Sequence, residues 1–480
     1  MRTPAFVFDK HQIRSNMLAM VDNDHDATEA DRQTRAYYRE ARHAMVWVDR
    51  MGVDQRADTL LAWLHKVHEE GFSERAFGVA AIESDLQRMR SLDFGEGGNS
   101  INQVAARLEY RLTKALIRYS MGQRYGFVNP FKVYNSLDAD KKDTLGNAVS
   151  YRQLFDVAMD LPTKRFARIV LRKVQTDSLG EYLHRIQPRN SYYNRMKSML
   201  ATAVTAGQRQ RIMVNMERSR WRRHQPIMEE GKRIVVNIPA YHLYAYDTDS
   251  VLDMRVVCGT LRTKTPQLSS SVEWMEVNPQ WVVPKSIIDA DIARHAGDSS
   301  YFARHRYSIY ERSTNKPMNV RAVTSQMLLS GKYRVAQAGG AGNSLGRIVF
   351  RFKNKFSVFL HDTSSPGAFS RESRAVSHGC VRVSKPFELA HFVLDMPDEW
   401  LLERIRLSMG LSPQTMRGMD YVEQHKGEDM KLIGYVPVKP HVPLYIIYYT
   451  LWPDAAGFMQ TWPDVYGYDE ALWKSLQNFM

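Results

Sequence analysis

Residues 233–261 read RIVVNIPAYHLYAYDTDSVLDMRVVCGTL, and they divide the chain. The stretch is rich in β-branched and aromatic residues, and Thr248-Asp249-Ser250 breaks it as a hairpin signal would. Upstream of residue 231 the periodicity is helical. Leu60, Leu61, Leu64 and Val67 make one apolar face, starting at Asp58 or Thr59. Val104, Leu108, Leu112, Ala115, Leu116 and Tyr119 make another, at spacings of three and four. A Gly- and Ser-rich loop, DFGEGGNS (93–100), separates these two helices. The reading is α+β: an all-α scaffold over residues 1–230, then a mainly-β, sandwich-like domain over 231–480.

Within the second half, RIVFRF (347–352) sends Ile348, Phe350 and Phe352 to one side and Arg347, Val349 and Arg351 to the other. FSVFLH (356–361) continues the alternation, with Phe356, Val358 and Leu360 inward and Ser357, Phe359 and His361 on the opposite face. Ser384 is a candidate cap for a helix with Pro386 in its first turn. Strands return at PLYIIYYTLW (443–452), and a hairpin around Asp454-Ala455-Ala456-Gly457 closes the domain. Residues 284–345 form a long, weakly patterned insert of the kind that serves as a lid or stays disordered.

A chain of 480 residues needs two or three domains. The balance of 66 basic against 52 acidic side chains, +14, favours an acidic partner such as an anionic wall polymer, although a solvated basic surface is the plainer reading. The basic residues are scattered. Even the densest cluster, ERSRWRRHQP (217–226), comes without an RNA-binding signature or finger spacing, so no nucleic-acid partner is expected. No apolar run approaches the roughly 18–20 residues of a membrane span, so no transmembrane segment is expected. MRTPAFVFDK at the start lacks the pattern of a signal peptide. The two cysteines, Cys258 and Cys380, are too far apart to read as a zinc or redox pair, and Cys258 reads as core.

Cys380 lies in HDTSSPGAFSRESRAVSHGCVRVS (361–384). A thiol attacks well only as thiolate, so it needs a base or a positive environment. His361 ends one strand and Cys380 begins another run, so neighbouring strands would bring imidazole and sulfur together. Gly379 can take positive φ and aim amide N–H groups at an oxyanion. Arg382, on the face of Cys380, adds charge for a thiolate or a substrate carboxylate. A buried structural cysteine after a glycine turn explains the same residue types equally well.

The spacing of His361, fifteen residues, then Ser377-His378-Gly379-Cys380 resembles the active-site signature of the L,D-transpeptidases (YkuD-like catalytic domain). The usual Asn two residues after the cysteine is here Arg382, which points to the large subgroup with an N-terminal helical scaffold (YcbB-like). VNMERSRW (214–221), VVNIPAYHLYAY (235–246), VEWMEVNPQWVVPKSII (272–288) and GNSLGRIVFRFKNKFSVFLHDT (342–363) are similar to its catalytic half. LEYRLTKALIRYSMGQRYGFVNP (108–130) is similar to its scaffold. Between Leu200 and Asn215 there is no room for the small peptidoglycan-binding domain that many relatives insert.

The resemblance implies a mechanism. Cys380 attacks the carbonyl of the third residue of a donor tetrapeptide stem and expels D-Ala. His361 takes the thiol proton and later activates the acceptor amine. The N–H groups of Gly379 and Cys380 hold the oxyanion, and Ser377 and His378 orient His361 or shape the pocket. Arg382, Asn343 and Thr363 are substrate-binding candidates. No metal or organic cofactor is required. The implied partners are peptidoglycan stem peptides and wall-synthesis proteins, and the implied location is the periplasm. A thiol L,D-carboxypeptidase or amidase would use the same residues with water as acceptor, and an inert wall-binding scaffold would leave Cys380 unreactive.

Three further patterns read as incidental. Ser313–Lys316 (STNK) matches Ser-x-x-Lys without a Lys-Thr-Gly anywhere in the chain. AGGAGNSLGR (338–347) leads into a strand, so it is a flexible loop, the rear hinge of the lid, and no dinucleotide motif. His65 and His68 lack the HExxH pattern and lie on an exposed helix face.

Overall fold

The computed structural model describes residues 6–40, 45–95, 97–227, 231–248, 250–428 and 430–480. The chain forms two compact units, one of Met1–Arg152, Ala158–Met228 and Gly467–Met480, the other of Gln153–Val157 and Glu229–Tyr466. An N-terminal helical region is thus followed by a mainly-strand region. Two segments cross the expected division at residue 230: 153–157 joins the strand-rich unit, and 467–480 joins the helical one.

The helical unit is built on the helix Ile101–Tyr125, opened by a capping box between Ser100 and Gln103. Its apolar stripe is buried as expected, and so are polar residues on its other faces, including Glu109 and Thr113. Glu109 accepts the backbone N–H groups of Val46, Trp47 and Val48, which anchors that segment to the central helix. The first expected helix spans Arg56–Leu64 and starts without a side-chain cap, ahead of Asp58. Val67 falls in a separate 3-10 turn, Val67–Glu70. The loop at 93–100 follows another helix, Val79–Ser91, whose start carries no capping side chain, only Gly78 at φ +69°. Two short hairpins make the unit helical but not all-α: Val48–Asp49 with Gly52–Val53, and Ala139–Lys142 with Ala148–Tyr151. Only residues 203–205 connect the helices Ser191–Thr202 and Ala206–Arg220.

The C-terminal helix Tyr468–Leu476 belongs to this unit because its stripe of Tyr468, Leu472 and Leu476 is fully buried. Asp469 is ion-paired there with the buried Arg218 guanidinium, Nη1 to Oδ1 2.6 Å.

In the second unit a ten-stranded sheet runs through Ile348–Phe352, Leu360–His361, Val381–Val383, Ser250–Gly259, His242–Asp247, Arg233–Asn237, Tyr435–Ile447, Gln267–Val277 and Phe155–Asp156. Ala375–Ser377 adds to Ser250–Gly259 in parallel. Ile348–Phe352 also pairs with Gln267–Val277, so the sandwich-like sheet closes on itself. The opening stretch contributes three strands. Residues 238–241, with Pro239 and with Tyr241 at φ +51°, turn the chain before the expected hairpin, where Asp247 pairs with Ser250.

Three local expectations change. Only Leu360–His361 of FSVFLH is strand, because Asn354 folds the preceding residues back: its Oδ1 accepts from the N–H groups of Phe356 (3.0 Å) and Val358 (3.1 Å). Ser384 extends a ladder, donating its N–H to the Arg255 carbonyl at 3.1 Å, and the helix Pro386–Val393 has no side-chain cap. The insert is folded. Trp281–Val282, Tyr333–Gln337 and Tyr307–Glu311 form a three-stranded antiparallel sheet, and Val283, Ile288, Phe302, Ile309, Leu328 and Val335 belong to its own core.

Candidate active site

The strands Leu360–His361 and Val381–Val383 lie side by side in parallel, pairing Leu360 with Val381 and His361 with Arg382. Paired residues share a face and successive residues alternate, so Leu360 and Val381 point into the core while His361, Arg382 and Cys380 share the other side. That side is not open to solvent: His361 is only 4% exposed, and Cys380 is half-buried. Burial, reinforced by the Arg382 charge, depresses the His361 imidazole from an ordinary 6.5 to about 4. Its Nδ1 is buried without a well-formed hydrogen bond.

The Cys380 thiol points at the Ser357 carbonyl, Sγ to O 3.9 Å. Burial raises its pKa, against the opposing effects of the Phe359 backbone and of Arg351 and Arg382. Burial thus favours the neutral form of both groups, and the hydrogen bond of the thiol goes to Ser357, not to His361. Ser357 adopts φ +54°, a strained conformation for a residue with a Cβ, held by the Asn354 turn.

The two arginines differ. Arg351 is committed: it chelates Glu276 (Nη2–Oε2 2.9 Å, Nε–Oε1 3.1 Å) and stacks 4.2 Å from the centroid of the Phe359 ring. Arg382 is half-buried, has a buried Nε without a partner, and pairs with no carboxylate among the described residues. It is the guanidinium left to meet an anionic ligand.

Gly379 adopts φ +115°, as expected of a glycine that turns the chain before Cys380. Its N–H, however, donates to Ser377 Oγ at 3.1 Å, and Ser377 Oγ donates to the Cys380 carbonyl at 2.6 Å. Two expectations change with this: the Gly379 amide is not free for an oxyanion, and Ser377 locks the turn instead of orienting His361. The Cys380 N–H has no acceptor among the described residues. His378 is exposed, with no side-chain hydrogen bond or ion pair among the described residues. Thr363 is half-buried and accepts the Ser365 N–H at 3.1 Å.

Asn343 is fully buried and cannot meet a substrate. Its Nδ2 donates to the Pro279 and Ala338 carbonyls, and its Oδ1 accepts the Leu345 N–H at 2.8 Å. The Asn278 N–H adds a 2.7 Å bond to the Arg347 carbonyl. The glycine-rich loop is thus pinned to the entry of the insert and is no flexible hinge.

Sequence reasoning missed Thr263 and Thr265, which hold the Ser377-His378-Gly379-Cys380 turn from behind. Thr263 Oγ1 donates to the Ser377 carbonyl at 2.9 Å, and Thr265 Oγ1 to the Gly379 carbonyl at 2.8 Å. A threonine-rich loop was the only signal, and threonine is common in loops. The incidental patterns stay incidental: Ser313–Lys316 is an exposed turn, His65 lies between Glu74 and Glu83, and Cys258 is fully buried with its thiol pushed up to about 12. Among the described residues no group of three His, Cys, Asp or Glu side chains is arranged to hold a metal ion.

A family model described as the L,D-transpeptidase catalytic domain (YkuD) matches residues 231–410, which contain this whole strand-borne site. A scaffold-domain model matches residues 32–200. Residues 231–410 thus form a domain of the L,D-transpeptidase catalytic family. Catalytic domain and scaffold together fit the YcbB-like subgroup. A Haemophilus influenzae protein named "Putative L,D-transpeptidase" is 28% identical over 308 residues, 63% of this chain and 58% of the relative, so the match spans little more than half of the relative's length. The solved L,D-transpeptidase from Mycobacterium smegmatis is 13% identical over 45% of this chain and 58% of that one, with a TM-score of 0.20, which carries no argument. No helix among the described residues of this chain is long and apolar enough to cross a membrane.

Proposed function

We propose that this chain is a cysteine L,D-transpeptidase that cross-links peptidoglycan stems in the periplasm. The observation that carries the reading is the register pairing of His361 with Arg382, which has no carboxylate partner among the described residues, on the face to which the adjoining Cys380 belongs. Arg382 receives a carboxylate of the donor tetrapeptide. Cys380 attacks the carbonyl of the third stem residue as its S–H proton passes to His361, and the resulting oxyanion lies against the Cys380 N–H. The C–N bond to the terminal D-Ala then breaks, and His361 returns the proton to the departing amine. In the second half, a side-chain amine of another stem attacks the thioester and gives up its proton through His361. The thiolate leaves and is reprotonated, which completes a 3→3 cross-link. The folded insert over 284–345 is assigned the role of a lid that excludes water and favours the amine acceptor. Other wall-synthesis proteins are proposed partners for placing the chain on its polymer.

Incubation with disaccharide-tetrapeptide, with products read by mass, tests this. The expected product is a dimer lacking one D-Ala, absent with Cys380→Ala and with His361→Ala. Tripeptide alone would identify an L,D-carboxypeptidase, and no product together with no carbapenem adduct at Cys380 would sink the catalytic reading.

A further inference from the structure

Each backbone carbonyl of the turn from Ser377 to Cys380, apart from that of His378, is bound from behind. The Ser377 carbonyl takes the Thr260 N–H (3.0 Å) and the Thr263 hydroxyl, and the Cys380 carbonyl takes the Ser377 hydroxyl. The Gly379 carbonyl takes the Thr265 hydroxyl at 2.8 Å. Thr265 is fully buried, and the same hydroxyl accepts the Gly259 N–H at 2.9 Å. The Thr265 N–H donates to the Tyr466 hydroxyl at 3.1 Å, which donates to the Gly259 carbonyl at 2.7 Å. Three of these bonds close a circuit through Gly259, Thr265 and Tyr466, and the fourth ties the Gly379–Cys380 peptide to it through the Thr265 hydroxyl.

The circuit has a directional consequence. The Gly379–Cys380 peptide is trans and planar, so its C=O and N–H point in opposite directions. A hydroxyl that fixes the Gly379 oxygen on the Thr265 side therefore aims the Cys380 N–H the other way, where no described acceptor meets it. The Gly379 N–H cannot substitute, because Ser377 Oγ holds it. Without the Thr265 hydroxyl the peptide plane is free to rock about a residue at φ +115°, where only glycine rests easily.

We propose that Thr265 is the positioning residue of the oxyanion hole: its hydroxyl grips the Gly379 carbonyl and thereby sets the direction of the Cys380 N–H. Thr265 touches no reacting atom. The inference rests on the reading of Cys380 as an acyl-accepting nucleophile, but it does not depend on the natural donor.

Two reactions of the full-length chain separate positioning from general damage. Acetylation of Cys380 by p-nitrophenyl acetate passes through a tetrahedral oxyanion: the sulfur bonds to the carbonyl carbon and p-nitrophenolate leaves. Alkylation by iodoacetamide displaces iodide directly and forms no oxyanion. Loss of a whole oxyanion donor costs about 10²–10³-fold, so a misdirected one is expected to cost about 10–100-fold. Thr265→Val should slow acetylation by that factor and leave alkylation within about 3-fold, and Thr265→Ser should restore acetylation. Equal losses in both reactions, or acetylation within about 3-fold of native, would overturn the proposal. If Thr265→Val does not fold, Tyr466→Phe tests the same circuit by removing the hydroxyl beneath Thr265. It should slow acetylation selectively, and an unchanged ratio of the two rates overturns the proposal. A native chain that is acetylated at Cys380 but never processes tetrapeptide would refute the transpeptidase reading and leave the role of Thr265 standing.

Discussion

His361 and Arg382 are register partners across the parallel pair Leu360–His361 and Val381–Val383, on the face that carries Cys380. A buried imidazole and a half-buried permanent cation thus sit side by side. The cation helps hold the imidazole neutral, and it also favours the thiolate. A carboxylate bound to Arg382 would relieve the first effect, so donor binding would strengthen the base at the moment it is needed.

The depressed imidazole makes stability pH-dependent in a defined window. The folded chain holds His361 near 4, against 6.5 for an ordinary histidine, so between these values the unfolded chain binds more protons. This contribution is fully present above about pH 6.5 and is lost as the pH falls toward about 4. Denaturant unfolding of the native chain and of His361→Gln between pH 4 and 8 should show a smaller loss on acidification in the variant. Parallel curves would contradict the buried, neutral imidazole.

Arg382→Asn restores the residue usual for the family but removes a guanidinium that has no carboxylate partner among the described residues. A charged hydrogen bond is worth about 1.5–3 kcal/mol, so kcat/KM for the donor should fall about 10–100-fold, mainly through KM. A donor with its carboxylate amidated should be poor with the native chain and no poorer with the variant. If both donors lose equally, Arg382 acts on the thiol or the base and not on the substrate.

Alternation made the strand within RIVFRF legible, because side-chain period 2 is written directly into the sequence, and the His-to-Cys spacing tied His361 to Cys380. The depth of the site was not legible. His361 looks outward by alternation, yet it is buried, since coverage comes from residues distant in sequence. The Gly379 amide looked free because its acceptor is a serine two residues away, and only backbone geometry reveals that contact. Thr265 acts through a hydroxyl on a distant loop, and no spacing rule connects residues 265 and 379. The grouping of the helix Tyr468–Leu476 with the helical unit was not legible for a similar reason. Its stripe of Tyr468, Leu472 and Leu476 demands burial but does not say against what.

That helix supplies a test in the helical unit. Asp469 neutralises Arg218, whose side chain is 1% exposed. Removing one partner of a buried pair leaves an uncompensated charge and costs about 3–5 kcal/mol. Asp469→Ala should therefore lower stability to denaturant by several kcal/mol, whereas Glu470→Ala, whose ion pair with Lys474 is exposed, should change it by less than about 1 kcal/mol. Equal effects would mean that the Arg218 charge finds compensation elsewhere.

Gly379→Ala isolates backbone conformation from crowding at the turn. The nearest atom to an added Cβ is the Thr263 carbonyl oxygen at 3.5 Å, an ordinary contact, so the methyl group itself has room. The cost comes from φ +115°, which a residue with a Cβ occupies only at about 1–3 kcal/mol of strain. The variant can relieve that strain by rotating the peptide that carries the Cys380 N–H, which breaks the Thr265 Oγ1 bond to the Gly379 carbonyl. Its expected signature is a modest fall in melting temperature together with a large fall in kcat and little change in KM, since donor contacts at Arg382 are untouched. Thermal unfolding with steady-state kinetics checks this. A variant with native kcat would show that the turn need not hold the conformation seen here for catalysis.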